Sequence, residues 1–306
     1  MNDPLTPSPQ TIYTKSQLHC YLKHTGRPNP DVLPPPTLTT LQELMVYHLA
    51  RVPFENLIIH YSSHHSVSLD PEHLYHKIVE RGHGGYCMEN TGCFSIVLRS
   101  LGFNLWNIGG KASATLDTNG LDRSGGFRGC GTISPVPLIH EIVVPGTGTQ
   151  QFRLLNQPLK RQANRSLLFW LLQTKNTSAD PWLDVYAFCP NVEFGREDYE
   201  VMSYVTSRMH GLIFTEMIIC VRCVLSTELS KEELAKMGEK EDSEVRVVGR
   251  ITLTKREVKR AMGDVSERLE VFETEEQRVQ AFKKYFRLEL NQEEQEGIRG
   301  RSTEIK

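Results

Sequence analysis

No apolar run in the 306-residue chain approaches the ~20 residues that cross a bilayer, so no membrane span is expected. Residues 1–10 are polar, hold three prolines and lack an apolar core, so no secretory leader is expected either. Neither sign of charge prevails: 35 Lys and Arg face 37 Asp and Glu, a net charge of −2. A surface that coats nucleic acid would carry a basic excess, and a repulsive disordered chain would lean strongly to one sign. The seven cysteines (Cys20, Cys87, Cys93, Cys130, Cys189, Cys220 and Cys223) are odd in number and scattered. They suit free thiols in a reducing cytoplasm rather than a disulfide framework. Internal repeats are absent. With 39% hydrophobic and 24% charged residues, the composition is that of a globular protein.

The first hundred residues read as mainly helical. Residues 16–23 predict a short helix with Ser16 as its cap, ended at Gly26. Beyond Pro34-Pro35-Pro36, residues Leu38, Leu41, Leu44, Met45 and Leu49 form a helical stripe. Asp70-Pro71 is a cap with a first-turn proline, and Phe94, Val97, Leu98 and Leu101 mark a further helix stopped by Gly102. The period then changes. Residues 109–131 are rich in Gly, Ser and Asp and read as loop. Residues 142–144, 152–155, 183–188, 214–225 and 245–253 read as strands, with 268–272 as one more. Thr274 to Gln277 is a capping box before a last helix, and 230–243 is a charged loop or short helix. The fold class is α+β.

The densest signal is Arg81-Gly82-His83-Gly84-Gly85-Tyr86-Cys87-Met88-Glu89-Asn90. A helix begins just after Cys87, so its sulfur faces the positive end of the helix dipole and free N–H groups, which lower a thiol's pKa. That describes a nucleophile. The competing reading is a small buried hydrophobe, the commonest role of a free cysteine.

At these residues the chain resembles the arylamine N-acetyltransferases, in their fungal branch. The resemblance rests on Arg81 with Gly84 to Asn90, and on Val52-Pro53-Phe54-Glu55-Asn56-Leu57 upstream. Tyr186-Ala187-Phe188, the stretch from Asp198 to Tyr204, and Glu296-Gly297-Ile298-Arg299-Gly300 support it in the same order. It implies a helical bundle (1–105), a central β-barrel (106–225) and a C-terminal α/β lid (226–306). It also implies a ping-pong transfer in xenobiotic metabolism: Cys87 takes an acetyl group from acetyl-coenzyme A (acetyl-CoA) and passes it to an arylamine or arylhydrazine. Phe54 then belongs to the loop that meets the substrate, and Arg81 and Glu89 are supports. The expected partners are small molecules, with neither nucleic acid nor membrane, no metal, and a cytoplasmic location. Which amine, and acetyl- or malonyl-CoA, stay open.

The Asp-Val-Gly-Phe-Gly signature that the resemblance predicts, ending the hairpin of the catalytic histidine and aspartate, is not in the sequence. Gly126-Phe127-Arg128-Gly129 matches its tail, so the hairpin is expected to be missing just before Gly126 and the barrel incomplete. On that reading the chain is an impaired member of the family, able at most to bind CoA or an aromatic amine. A rival alignment places His140 before a strand, a turn, a second strand and Asn156, the order of a Cys-His-Asn triad; against it stands a surface histidine. His83, although beside Cys87 in sequence, is expected to face solvent, and His60, His64 and His65 to lie in a solvated loop. Cys220 and Cys223 have CxxC spacing on a strand, where they point to opposite faces and hold no zinc. Gly82 to Gly85 lacks the lysine and preceding strand of a phosphate loop.

Overall fold

The computed structural model describes residues 12–112, 132–160, 162–237, 244–263 and 265–306. Thr14 opens α1 (Lys15–Thr25): its hydroxyl accepts from the Gln17 N–H at 3.2 Å, and the Gln17 side chain accepts from the Thr14 N–H at 2.9 Å. The cap is Thr14 and not Ser16, because only Thr14 has a glutamine three residues on to complete the reciprocal pair. Gly26, at φ +78°, ends the helix in the left-handed conformation that glycine takes without penalty. Next come α2 (Leu38–Arg51), capped by Thr37, and the short α3 (Leu57–Tyr61). In α4 (Pro71–Tyr75) the Asp70 carboxylate accepts from the N–H groups of Glu72 and His73 at 3.1 and 3.2 Å. That helix widens into a π turn at His76–Glu80, and α5 (Cys87–Ser100) follows. Their apolar faces meet through Leu18, Leu22, Leu44, Leu74, Ile78 and Val97. Burial of each such side chain contributes about 1.5–3 kcal/mol.

Among the described residues the strands form two five-stranded antiparallel sheets. One holds β2 (Ile108–Ala112), β3 (Val143–Pro145), β4 (Gln151–Gln157), β5 (Phe169–Lys175) and β6 (Leu183–Glu193), in the order β2-β6-β5-β4-β3. From β6 the chain crosses through α6 (Arg196–Arg208) and α7 (Ile213–Glu216) to the other sheet. There β1 (Phe54–Glu55), β7 (Ile219–Leu225), β8 (Val247–Thr254), β9 (Glu257–Met262) and β10 (Val265–Val271) lie in chain order. The charged segment after β7 carries α8 (Lys231–Lys236), and the chain ends with α9 (Glu275–Ala281) and α10 (Gln292–Glu296). Among the described residues no helix is long and apolar enough to cross a membrane.

The α+β class holds, but the expected central barrel does not. Neither sheet closes on itself among the described residues, because the crossover after β6 sends β7 to pair with β1 and β8 instead of extending the β2–β6 sheet. Phe214 lies in α7 and the strand starts only at Ile219, whereas Ile108–Ala112 pairs with β6 where a loop was expected. The expected missing hairpin between Lys111 and Thr132 falls on residues 113–131, outside the described ones, as does Cys130.

Candidate active site

The two motifs that the sequence reading singles out are docked on each other. Glu55 N–H donates to the Gly85 carbonyl at 2.9 Å, and Gly85 N–H returns to the Pro53 carbonyl at 3.3 Å. Asn90, one turn into α5, donates to the same Pro53 carbonyl at 3.2 Å. So close is the approach that a Cβ on Gly84 would stand 1.7 Å from the Pro53 oxygen. This contact brings Phe54 and Cys87 to the lining of one cavity. Their surroundings are aromatic: the Phe214 ring lies 6.0 Å from the rings of both Phe54 and Tyr86. Asn56, fully buried, ties the same region to the crossover by donating to Phe214 and Met217 carbonyls at 2.9 and 2.8 Å and accepting from Ile219 N–H at 2.8 Å.

Beneath Cys87 lies a buried group of three charges. Lys77 Nζ is 2.7 Å from Glu89 Oε1 and 3.2 Å from Glu55 Oε1. Each carboxylate spends its second oxygen on a helix start: Glu89 accepts from Tyr86 N–H at 3.1 Å and Glu55 from Leu57 N–H at 2.5 Å. Burial raises the Glu89 carboxyl, with Glu55 adding to the shift and Lys77 opposing it. For Lys77 burial acts against the charge, but the two carboxylates outweigh it and hold the ammonium above its ordinary range. One cation thus couples β1, the π turn and the start of α5.

Cys87 opens onto a cavity of about 320 Å³ lined also by Phe54, Asn90, Phe94, Tyr186, Val221 and Cys223. Burial pushes its thiol up to about 11, against the pull of the Met88 N–H and its own. The helix start therefore does not produce the lowered pKa that the sequence reading predicts; desolvation of the thiolate outweighs it. Thr147 and Gln150, from the turn between β3 and β4, and Gly249 and Arg250, from β8, also line it. His48 also lines it, with its Nδ1 2.8 Å from the Tyr21 hydroxyl and its ring 4.7 Å from Phe94. Burial lowers that imidazole to about 3, so it is neutral and a weak base.

A family model described as N-acetyltransferase matches residues 37–124. Over 332 aligned positions the chain is 28% identical to N-malonyltransferase FDB2 of Fusarium pseudograminearum, covering 94% of this chain and 92% of that one. It is 43% identical over 76 residues to the pineal gland arylamine N-acetyltransferase isozyme NAT-3 of Gallus gallus, 25% of this chain and 26% of that protein. The chain is similar to arylamine N-acetyltransferases and to N-malonyltransferases of Fusarium type. Its fold is also that of the Mycobacterium marinum arylamine N-acetyltransferase solved in complex with CoA (TM-score 0.66, 20% identity, 92% of this chain and 98% of that one).

The other sequence candidates fall away from the cavity. His140 and Asn156 do meet, but through the Asn156 backbone N–H, which donates to His140 Nδ1 at 2.9 Å. Neither lines the Cys87 cavity, and the His140 side chain is half exposed. Among the described residues no histidine is hydrogen-bonded to Cys87. His83 does not face solvent: it is buried, and its Nε2 lies 3.0 Å from the Glu289 carbonyl, because the C-terminal segment covers this loop. His60 is likewise buried rather than solvated, held between the Phe214 carbonyl and the Thr303 hydroxyl, both at 3.0 Å. Arg81 anchors the same C-terminal segment through two bonds to Glu294 at 2.7 and 3.0 Å. Cys220 sits in the core while Cys223 faces the cavity, as strand alternation requires of residues three apart. Among the described residues no three His, Cys, Asp or Glu side chains are grouped to hold a metal ion. Sequence reasoning missed Lys77 and Arg250; neither stands in a motif, and only pairing across the fold brings them here.

Proposed function

We propose that this chain transfers an acyl group from acyl-CoA to the amino nitrogen of an arylamine or arylhydrazine, through a thioester on Cys87. The observation that carries this reading is the placement of Cys87, the first residue of α5, in one cavity with Phe54. In the first half-reaction the Cys87 sulfur attacks the thioester carbonyl, loses its proton, and CoA leaves as the thiol. In the second the amine nitrogen attacks the acyl-Cys87 carbonyl, loses a proton, and the Cys87 thiol is regenerated. Phe54, with Phe214 beside it, offers an aromatic face to the amine ring. Relatives named for arylamine acetylation and for N-malonylation support acyl-CoA donors of both kinds. Free cysteines throughout the described residues support a cytoplasmic protein.

A second reading, an impaired member of the family, is favoured by the thiol pushed up to about 11 with no histidine bonded to it among the described residues. The alignment of 332 positions with the Fusarium relative is longer than this chain, so that relative carries residues with no counterpart here, and the family match ends at residue 124. General-base assistance is worth about 10²–10⁴-fold, which is the deficit expected. The test is CoA release from acetyl-CoA and from malonyl-CoA with an arylamine, for the natural chain and Cys87→Ala, across pH 6 to about 9.5. Slow, Cys87-dependent release that climbs with pH is expected. Equal release by Cys87→Ala would refute the thioester route.

A further inference from the structure

One wall of the Cys87 cavity is a face of the β1-β7-β8 sheet, and its register decides which side chains reach the cavity. Directly paired residues on antiparallel strands project to the same face, as do residues two apart on one strand. Phe54 pairs with Val221, and Cys223, two residues on, pairs with Arg250 of β8. All four line the cavity together with Cys87. The opposite face sends Cys220, Ile251 and Leu253 into the core. Arg250 is partly buried, and its guanidinium is near enough to act electrostatically on the Cys223 thiol.

Among the described residues this guanidinium has no partner of opposite charge, and no Asp or Glu lines the cavity. The contrast with its neighbour is sharp: Arg222, on the other face, makes two bonds to Glu228 and a third to the Tyr285 carbonyl. A partly desolvated fork of five N–H donors, in one cavity with the thiol read as the acyl acceptor, fits a planar carboxylate. We propose that Arg250 is a specificity residue that selects an acyl donor whose acyl group ends in a free carboxylate, with malonyl-CoA as the probe. The proposal rests on the reading of Cys87 as the acyl acceptor. No bond is made or broken by Arg250; it pairs with the distal carboxylate while the thioester carbonyl faces the thiol. The same cation could instead meet a CoA phosphate or a carboxylate on the aromatic amine, and the test separates these sources.

Affinity is measured by titration calorimetry in the full-length Cys87→Ala chain, which cannot form the thioester, so the result does not depend on turnover. CoA, acetyl-CoA, malonyl-CoA, aniline and 4-aminobenzoate are titrated with Arg250 present, with Arg250→Gln and with Arg250→Lys, each checked for a native melting transition. The expected result is malonyl-CoA bound about 10–100-fold more tightly than acetyl-CoA, the range of a charge-assisted pair. That ratio falls to about one in Arg250→Gln and is partly kept in Arg250→Lys, which retains the charge but not the fork. A ratio near one with Arg250 present, or no binding of malonyl-CoA to the folded chain, overturns the proposal. Equal loss for all three CoA compounds in Arg250→Gln would assign Arg250 to a phosphate. Loss confined to 4-aminobenzoate would assign it to the acceptor; either outcome also overturns the proposal. Failure of Cys87-dependent CoA release in the natural chain counts against the transfer reaction instead.

Discussion

Replacing Lys77 by methionine tests the buried charge group behind Cys87. The ammonium lies 2.7 Å from Glu89 and 3.2 Å from Glu55, and both carboxylate side chains are 0% exposed. Methionine fills most of the space but leaves two carboxylates facing each other without a cation. Removing one partner of a buried ion pair costs about 3–5 kcal/mol, because the remaining charge stays desolvated. At about 2–4 °C per kcal/mol for large domains, melting should fall by roughly 10 °C. The loss has a definite sign with pH. Burial already raises the Glu89 carboxyl, and without Lys77 the opposing effect is gone. A carboxyl whose folded pKa lies above its unfolded value binds more protons when folded, so stability declines as pH rises above about 4.5. Urea unfolding at pH 5 and pH 8 should therefore show the larger deficit at pH 8. Adding Glu89→Gln, whose amide oxygen can still accept from Tyr86 N–H, should restore about 1–3 kcal/mol as coupling energy. A Lys77→Met chain within about 1 kcal/mol of the parent, or a deficit that shrinks as pH rises, would refute this account.

Two further outcomes are expected from the same region. Gly84→Ala places a methyl 1.7 Å from the Pro53 oxygen and must separate the two docked motifs, destabilising the fold by roughly 1–3 kcal/mol or more, as urea midpoints will report. Because the Cys87 thiol is pushed up to about 11, its alkylation by iodoacetamide, followed by peptide mapping, should rise about tenfold per unit through pH 9 with no plateau near neutrality. A plateau at pH 7–8 would reveal a charged partner for the thiolate.

What the sequence determined by itself is local. Helix starts at Asp70 and Thr274, the stop at Gly26, the stripe of α2 and the helix that begins at Cys87 all follow from caps and from a period of about 3.6 residues. The paired motifs around Phe54 and Cys87 also carried the resemblance to the arylamine N-acetyltransferases, since glycines next to a cysteine at a helix start are a chemical arrangement written in adjacent residues. Strands were less legible. β5 is a largely apolar run and β9 a largely charged one, so neither shows the alternation that marks a half-buried strand. Tertiary structure alone decided the rest. The order of the sheets depends on the crossover through α6 and α7, and the meeting of Glu55, Lys77 and Glu89 on folding three segments together. His83 is buried only because the C-terminal segment returns over it, and Arg250 reaches the cavity only because β7 and β8 pair in one register. The direction of the Cys87 shift also lay beyond the sequence. A helix dipole can be read from a helix start, but desolvation depends on every atom that covers the sulfur, and those atoms come from distant parts of the chain.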